Sequence, residues 1–409
     1  MSHRQRTDVV VVGGGIIGCS TAYFLTINYG EQVRVTVVER YKVAGCASGK
    51  AGGFLAGGWG DDDTEQLHRL GFQLHEELAQ TLKLTSYRKI ETLSYAYSSS
   101  GNKQDTKGAG KRPEWLQNEN AKVSLMDSDT AQVTPLELTQ RMMDVAISKG
   151  TKLVTGNVIG VDTVLDKKGN EDQPCRVSSV RLENGTSLPC DRLVVALGPW
   201  TVMAEDWFKE HSPFRVPMEG IRSSSMVVKM PVGATLDRPY AIFCNEDPRT
   251  NTHLEVYPRP DSSVYVCGLG GSEHCGKARI MELEPHLVVP DTARIEAAQK
   301  CLRNMSSRII QDNGEVESNC CMRPCPQDGK PIMGLIPNYT NAFVCCGHNC
   351  WGILWGPISG KCMAELVITG ASSSIDIDRF RPERFVAKKR RKKAKRGRHQ
   401  SDIPCGEQW

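Results

Sequence analysis

The sequence predicts an α/β fold in two parts: a Rossmann-like dinucleotide-binding domain and a second, largely antiparallel β-sheet domain. Three observations carry this prediction. First, Val9-Val10-Val11-Val12 runs into Gly13-Gly14-Gly15-Ile16-Ile17-Gly18, a helix-like stretch, a valine-rich run over 33–38 and then Glu39. Strand, Gly-x-Gly-x-x-Gly turn, helix, strand and acid follow in the order that a dinucleotide-binding βαβ unit requires. Second, the segment 215–269 alternates apolar and polar residues with the period of two expected of strands. Third, a strand over 342–346 is followed by another glycine-rich turn and a helix, so the chain returns to the first domain at its end.

Each residue of the N-terminal motif has a physical reason. Gly13 permits the tight turn after the strand, Gly15 lets the backbone approach a pyrophosphate, and Gly18 lets the helix pack closely on the sheet. Ile16 and Ile17 open that helix, whose free N–H groups and partial positive charge favour phosphate. Glu39, 21 residues beyond Gly18 and followed by Arg40, is placed to accept hydrogen bonds from a ribose.

At 409 residues the chain is long enough for two domains. It has no run of 18 apolar residues, so no transmembrane helix is expected. The short polar segment before the first strand does not read as a signal peptide, which points to a cytoplasmic chain. Sixteen cysteines are many. They are scattered, several inside apolar runs, and read as reduced thiols that pack as small hydrophobes. No paired CxxC motif is present, and no metal site is expected. The net charge of +4 hides an asymmetry. Residues 388–398 hold nine Lys and Arg, more than the whole surplus, so the rest of the chain is mildly acidic. That basic run reads as a ligand for an import receptor, which would make the chain nuclear, as a ligand for an anionic surface, or as a solvated charge run. No aromatic residue is interleaved, which argues against specific nucleic-acid recognition.

Further along, 47–58 is a stretch of small residues suited to backbone contact with a bulky ligand. Helices are expected over 61–83, 135–149, 292–302 and 359–368, and a surface loop over 98–112. A hairpin is expected around Asn184-Gly185, and a buried strand ends at Gly198. The expected division is 8–95, 135–215 and 325–385 in the dinucleotide domain, 96–134 and 216–324 in the substrate domain, and a disordered tail over 386–409.

The N-terminal motif, 47–53, 195–200, Arg323-Pro324 with Asp328-Gly329-Lys330-Pro331, and 347–357 occur in one order. Together these segments resemble the D-amino-acid oxidase-like superfamily of FAD-dependent oxidoreductases, glycine oxidase and sarcosine oxidase among them. The resemblance covers roughly residues 8–385. It implies FAD as cofactor and oxidation of an amine or amino acid by hydride transfer to the flavin. It also implies cofactor contacts at Ser48, Lys50, Ala51, Gly52 and Gly53, at Val158, at Ala196 and Gly198, and at Gly347, Trp351, Gly352, Ile353 and Gly356. A helix N-terminus near Ser359 would then favour negative charge on the reduced flavin.

Arg323 matches the residue that pairs with the substrate carboxylate in this family, as guanidinium geometry allows. Tyr257 and Arg259 either face the substrate or pack the second sheet. His348 either borders the site or satisfies a buried backbone group. Cys321 lies in a Cys-Met segment similar to the one that carries covalent flavin in sarcosine-oxidase-like proteins, but the Arg323-Pro324 that follows resembles glycine oxidase. The resemblance also admits another kind of function, since some members act as flavin-binding assembly factors.

Overall fold

The computed structural model describes residues 6–97, 112–165, 174–231, 233–234, 236–311 and 314–386. The expected loop at 98–112, apart from Arg112, and the expected tail, apart from Val386, lie outside these residues.

The first sheet contains β1 (Thr7–Val12), β2 (Val33–Glu39), β6 (Lys152–Thr155), β10 (Arg192–Val195), β17 (Ile332–Leu335) and β18 (Ala342–Cys346). Its order is β17-β18-β10-β1-β2-β6, parallel throughout except for β17. Val9 and Val11 face a core shared with α1 (Ile16–Tyr29), α3 (Glu65–Thr81), α4 (Pro135–Ser148) and α8 (Gly352–Thr369). Val10 and Val12 face a core on the opposite side. Burial on both faces is why β1 is an unbroken valine run rather than an alternating one. The second core also takes residues of a small sheet, β7 (Val158–Leu165), β8 (Cys175–Leu182) and β9 (Ser187–Pro189), together with α5 (Ala204–Phe208). The β8–β9 hairpin turns at Gly185 with φ of 85°, as the Asn-Gly pair predicts.

The other large sheet has nine strands: β3 (Phe54–Ala56), β4 (Arg88–Ala96), β5 (Lys122–Gln132), β11 (Met218–Lys229), β12 (Tyr240–Cys244), β13 (Glu255–Pro258), β14 (Ser263–Cys267), β15 (Glu273–Cys275) and β16 (Val316–Pro326). One face buries Ile242, Val256, Val264 and Val266 against α7 (Thr292–Met305). The opposite face carries Phe243, Tyr257 and Tyr265. Strand geometry makes this separation automatic, because successive side chains point to opposite faces.

Two sequence expectations need correction here. A boundary at 95/96 cuts through β4, and both β3 and β4 pair within the second sheet rather than the first. The parallel pairing of β4 with β12 joins segments about 150 residues apart, a choice that local periodicity does not encode. The last helix also begins at Gly352, well before Ser359, and contains Pro357. Proline in a helix leaves the carbonyl four residues earlier without a donor. Here that carbonyl belongs to Ile353, and the ring N–H of buried His75 donates to it at 2.9 Å. Gly356 and Gly360 let α8 cross α1 closely. A Cβ at Gly356 would lie 2.6 Å from Ile16 Cγ1, and one at Gly360 would lie 2.3 Å from Ser20 Cβ.

Candidate active site

A cavity of about 730 Å³ lies where the glycine turns of the first sheet meet the free face of the second. The β1–α1 turn forms one end, and its glycines are dictated by contact. Gly13 has φ of 113°, and a Cβ there would sit 2.3 Å from the Ala196 carbonyl oxygen. A Cβ on Gly18 would sit 1.9 Å from the Gly13 oxygen. The N-cap of α1 is Gly15, which supplies no side-chain cap, and Gly15, Ile16 and Ile17 at this helix end line the cavity. Glu39 holds the turn in place, accepting from Gly14 N–H at 2.7 Å and from Tyr41 N–H at 2.9 Å. Each carboxylate oxygen keeps a lone pair for a further donor.

The small-residue stretch folds over this turn. Ser48, on α2 (Ala47–Lys50), accepts from Ile16 N–H at 2.8 Å. Lys50 donates from Nζ to the Cys320 carbonyl on β16 at 2.9 Å, which ties the stretch to the second sheet. Gly52 lies flat against the aromatic floor, where a Cβ would be 2.7 Å from the Tyr257 ring. Arg40 is held by Glu284, just beyond α6 (Lys277–Glu282), at 2.5 Å.

The cavity wall brings together Gly13, Gly15, Ile16, Ile17, Glu39, Arg40, Ser48, Lys50, Ala51, Gly52, Gly53, Val158, Ala196, Gly198, Gly347, Trp351, Gly352 and Ile353, with Arg323, Tyr257 and His348. Two expected contacts are not in it. Gly18 acts as the packing glycine inside the turn. Gly356 is buried between α8 and α1, one helical turn past the wall, because the helix starts early. The helix end beside the cavity is therefore at Gly352, not near Ser359.

Arg323 stands on β16 between Cys321 and Cys325, on the face opposite the packed Cys320 and Met322. Among the described residues its guanidinium makes only long hydrogen bonds, at 3.4 Å, with Asn349 Oδ1 and Ser223 Oγ. Among the described residues it has no carboxylate partner. Tyr257 is buried, stacked between Phe54 and Tyr265, and donates its hydroxyl to Glu255. Arg259 lies over the Tyr265 ring at 5.2 Å and reaches the Ala51 carbonyl at 3.4 Å. His348 bonds through Nε2 to Ser359 Oγ at 2.9 Å, a side chain rather than a backbone group. Its other nitrogen, Nδ1, is buried without a hydrogen-bond partner among the described residues.

These features fit a flavin dinucleotide. Glycines cradle one end, Gly198 at φ of 57° has open space where a Cβ would project, and the buried His348 Nδ1 in the wall has no partner among the described residues. The sequence reading missed Phe54, Trp59, Phe243 and Glu255, all in the cavity wall. A signal for one of them was present: the period of two that places Tyr257 on the free face also places Glu255 there, whereas Phe243 is brought opposite Glu255 by strand register.

Burial lowers the pKa of His348 to about 3 and that of His75 to about 4. Both are therefore neutral in the folded protein, while the unfolded chain protonates them near 6.5. Below that pH the unfolded state binds more protons, so their contribution is complete above about 6.5 and is lost as the pH falls toward 4 and then 3. Urea midpoints measured from pH 7 to pH 4 should fall, and His348→Asn should make the fall shallower. An unchanged slope in the variant would remove His348 from this account.

Comparison with known proteins agrees with the fold. A family model described as FAD dependent oxidoreductase, DAO, matches residues 8–366. A Schizosaccharomyces pombe protein described only as an oxidoreductase is 28% identical over 92% of this chain and 98% of its own length. The 4-methylaminobutanoate oxidase of Paenarthrobacter nicotinovorans is 25% identical over 91% of this chain, which spans 45% of that enzyme. Glycine oxidase from Geobacillus kaustophilus superposes with a TM-score of 0.70 at 19% identity, covering 93% of this chain and all of that one. The chain is a flavoprotein oxidoreductase, and it belongs to the DAO family of FAD-dependent oxidoreductases. No helix among the described residues is long and apolar enough to cross a membrane.

Proposed function

We propose that this protein oxidises an amine or amino acid that carries a carboxylate. The observation that carries the reading is Arg323, a guanidinium in the cavity wall with no carboxylate partner among the described residues. A planar fork of donors left in this state suits a bidentate carboxylate ligand. FAD, when bound, supplies the two-electron acceptor for the hydride of the substrate C–H bond next to nitrogen. Gly13, Gly15, Ser48 and Glu39 would hold the nucleotide, and the segments 50–53 and 347–353 would border the flavin. Arg323 anchors the substrate, the aromatic floor around Tyr257 excludes water, and His348 stays neutral as a hydrogen-bonding group. The amine oxidase named among the relatives supports the substrate class.

The test is the absorbance spectrum of the purified protein, followed by its bleaching under anaerobic conditions with a panel of amino acids and N-alkylated amino acids. Bleaching by a carboxylate-bearing amine supports the proposal, and a flavin that none of them reduces sinks it. Acid precipitation should leave the yellow colour in the supernatant. Burial raises the pKa of the Cys321 thiol and so withholds the thiolate that a covalent link needs. Colour in the pellet would assign the linkage to Cys321.

A further inference from the structure

The free face of the second sheet holds a feature that neither the family match nor the proposed oxidation explains. Glu255, on β13, lines the cavity. Its Oε2 accepts from the Tyr257 hydroxyl and from Cys267 Sγ. Among the described residues, its Oε1 has no hydrogen-bond partner. Arg323 stands on β16, and two strands, β14 and β11, separate the two backbones. Three strand spacings of about 4.8 Å put β13 about 14 Å from β16 across the sheet, and the register sets Arg323 further along β16 than Asn319, the residue level with Glu255. The two side chains share the cavity and do not form an ion pair. Burial works against the charge on Arg323, while Glu255 is among the neighbours that favour it. Opposite charges that face one cavity and stay apart suit a ligand with the reverse polarity.

Beside Glu255 lies a wall of half-buried rings. Phe243 sits 5.0 Å from Phe54 and 5.3 Å from Trp59, and Trp351 sits 6.3 Å from Trp59, centroid to centroid. Aromatic faces beside a carboxylate attract ammonium groups and favour alkylated ones, which lose less hydration on entering.

We propose that Glu255 and the wall of Phe54, Trp59, Phe243 and Trp351 form a cation subsite, so that the protein takes a zwitterion: carboxylate on Arg323, N-alkylated ammonium on Glu255. This rests on the substrate reading above and narrows it.

The experiment is calorimetric titration of the FAD-loaded protein with two probes of one shape. Trimethylglycine carries a carboxylate and a quaternary ammonium, and 3,3-dimethylbutanoate has carbon in place of the nitrogen. The wild type should bind trimethylglycine at least tenfold more tightly. Glu255→Gln should erase that preference while binding 3,3-dimethylbutanoate within about twofold of wild type, and Phe243→Leu should reduce the preference several-fold. Equal affinity of the wild type for both probes, or a preference that survives Glu255→Gln, overturns the proposal. If neither carboxylate binds, the Arg323 reading fails separately. Tetramethylammonium then decides the subsite: binding that Glu255→Gln abolishes supports it, and no binding overturns it.

Discussion

Gly13→Ala yields a protein that purifies without flavin and melts at a lower temperature. The new Cβ would lie 2.3 Å from the Ala196 oxygen, and the backbone at φ of 113° is one that alanine rarely adopts. Strained backbone of this kind costs about 1–3 kcal/mol. Forcing an extra carbon into a packed site costs about 1–3 kcal/mol more. Against a stability of about 5–15 kcal/mol, the sum is a large fraction. The strain can relax only by separating the β1–α1 turn from the strand-end turn at 196–198, and both turns line the cavity. Cofactor retention should therefore fall together with stability. Gly276→Ala is the control, since its φ is −69° and nothing lies within 4 Å of the position a Cβ would take. Measuring the flavin-to-protein absorbance ratio and the melting temperature of both variants is sufficient. A yellow Gly13→Ala protein of wild-type stability would refute the steric argument.

Arg323→Ala lowers kcat/KM for carboxylate-bearing amines by roughly 10²–10³-fold and leaves flavin content unchanged. Removing one member of a desolvated, hydrogen-bonded charge pair costs about 2–5 kcal/mol, and each 1.4 kcal/mol is tenfold. Arg323→Lys restores only part of the loss, because an ammonium cannot reproduce the two parallel hydrogen bonds of a guanidinium. Amines without a carboxylate distinguish this role from a structural one. They should lose little in the alanine variant, whereas equal losses for both substrate types would mean that Arg323 shapes the cavity without binding the carboxylate.

Much of this site was legible because its parts are local. The β1–α1 turn, Glu39, the small residues at 47–53 and the glycines at 347 and 352 are short motifs, and their backbone constraints leave few alternatives to glycine or a small side chain. Gly356 misled for a local reason as well. A glycine before proline reads as a turn, yet the helix runs through Pro357 with the remote His75 ring as donor to the Ile353 carbonyl. The charged and aromatic substrate face was not legible in the same way. Phe54, Trp59, Phe243 and Glu255 come from segments up to about 200 residues apart, and each alone reads as ordinary packing or surface.

The sequence by itself determined the dinucleotide-binding unit, the two-sheet class and the presence of Arg323 in the closing segment. These follow from residue periodicity and from the steric demands of glycine within a few positions along the chain. Tertiary structure alone decided that β3 and β4 join the second sheet, that the last helix begins at Gly352, and that Glu255 faces the same cavity as Arg323. Those outcomes depend on pairing between distant strands and on one side chain meeting a carbonyl far along the chain. Such long-range contacts are selected by the packing of the whole molecule, and no local pattern specifies them.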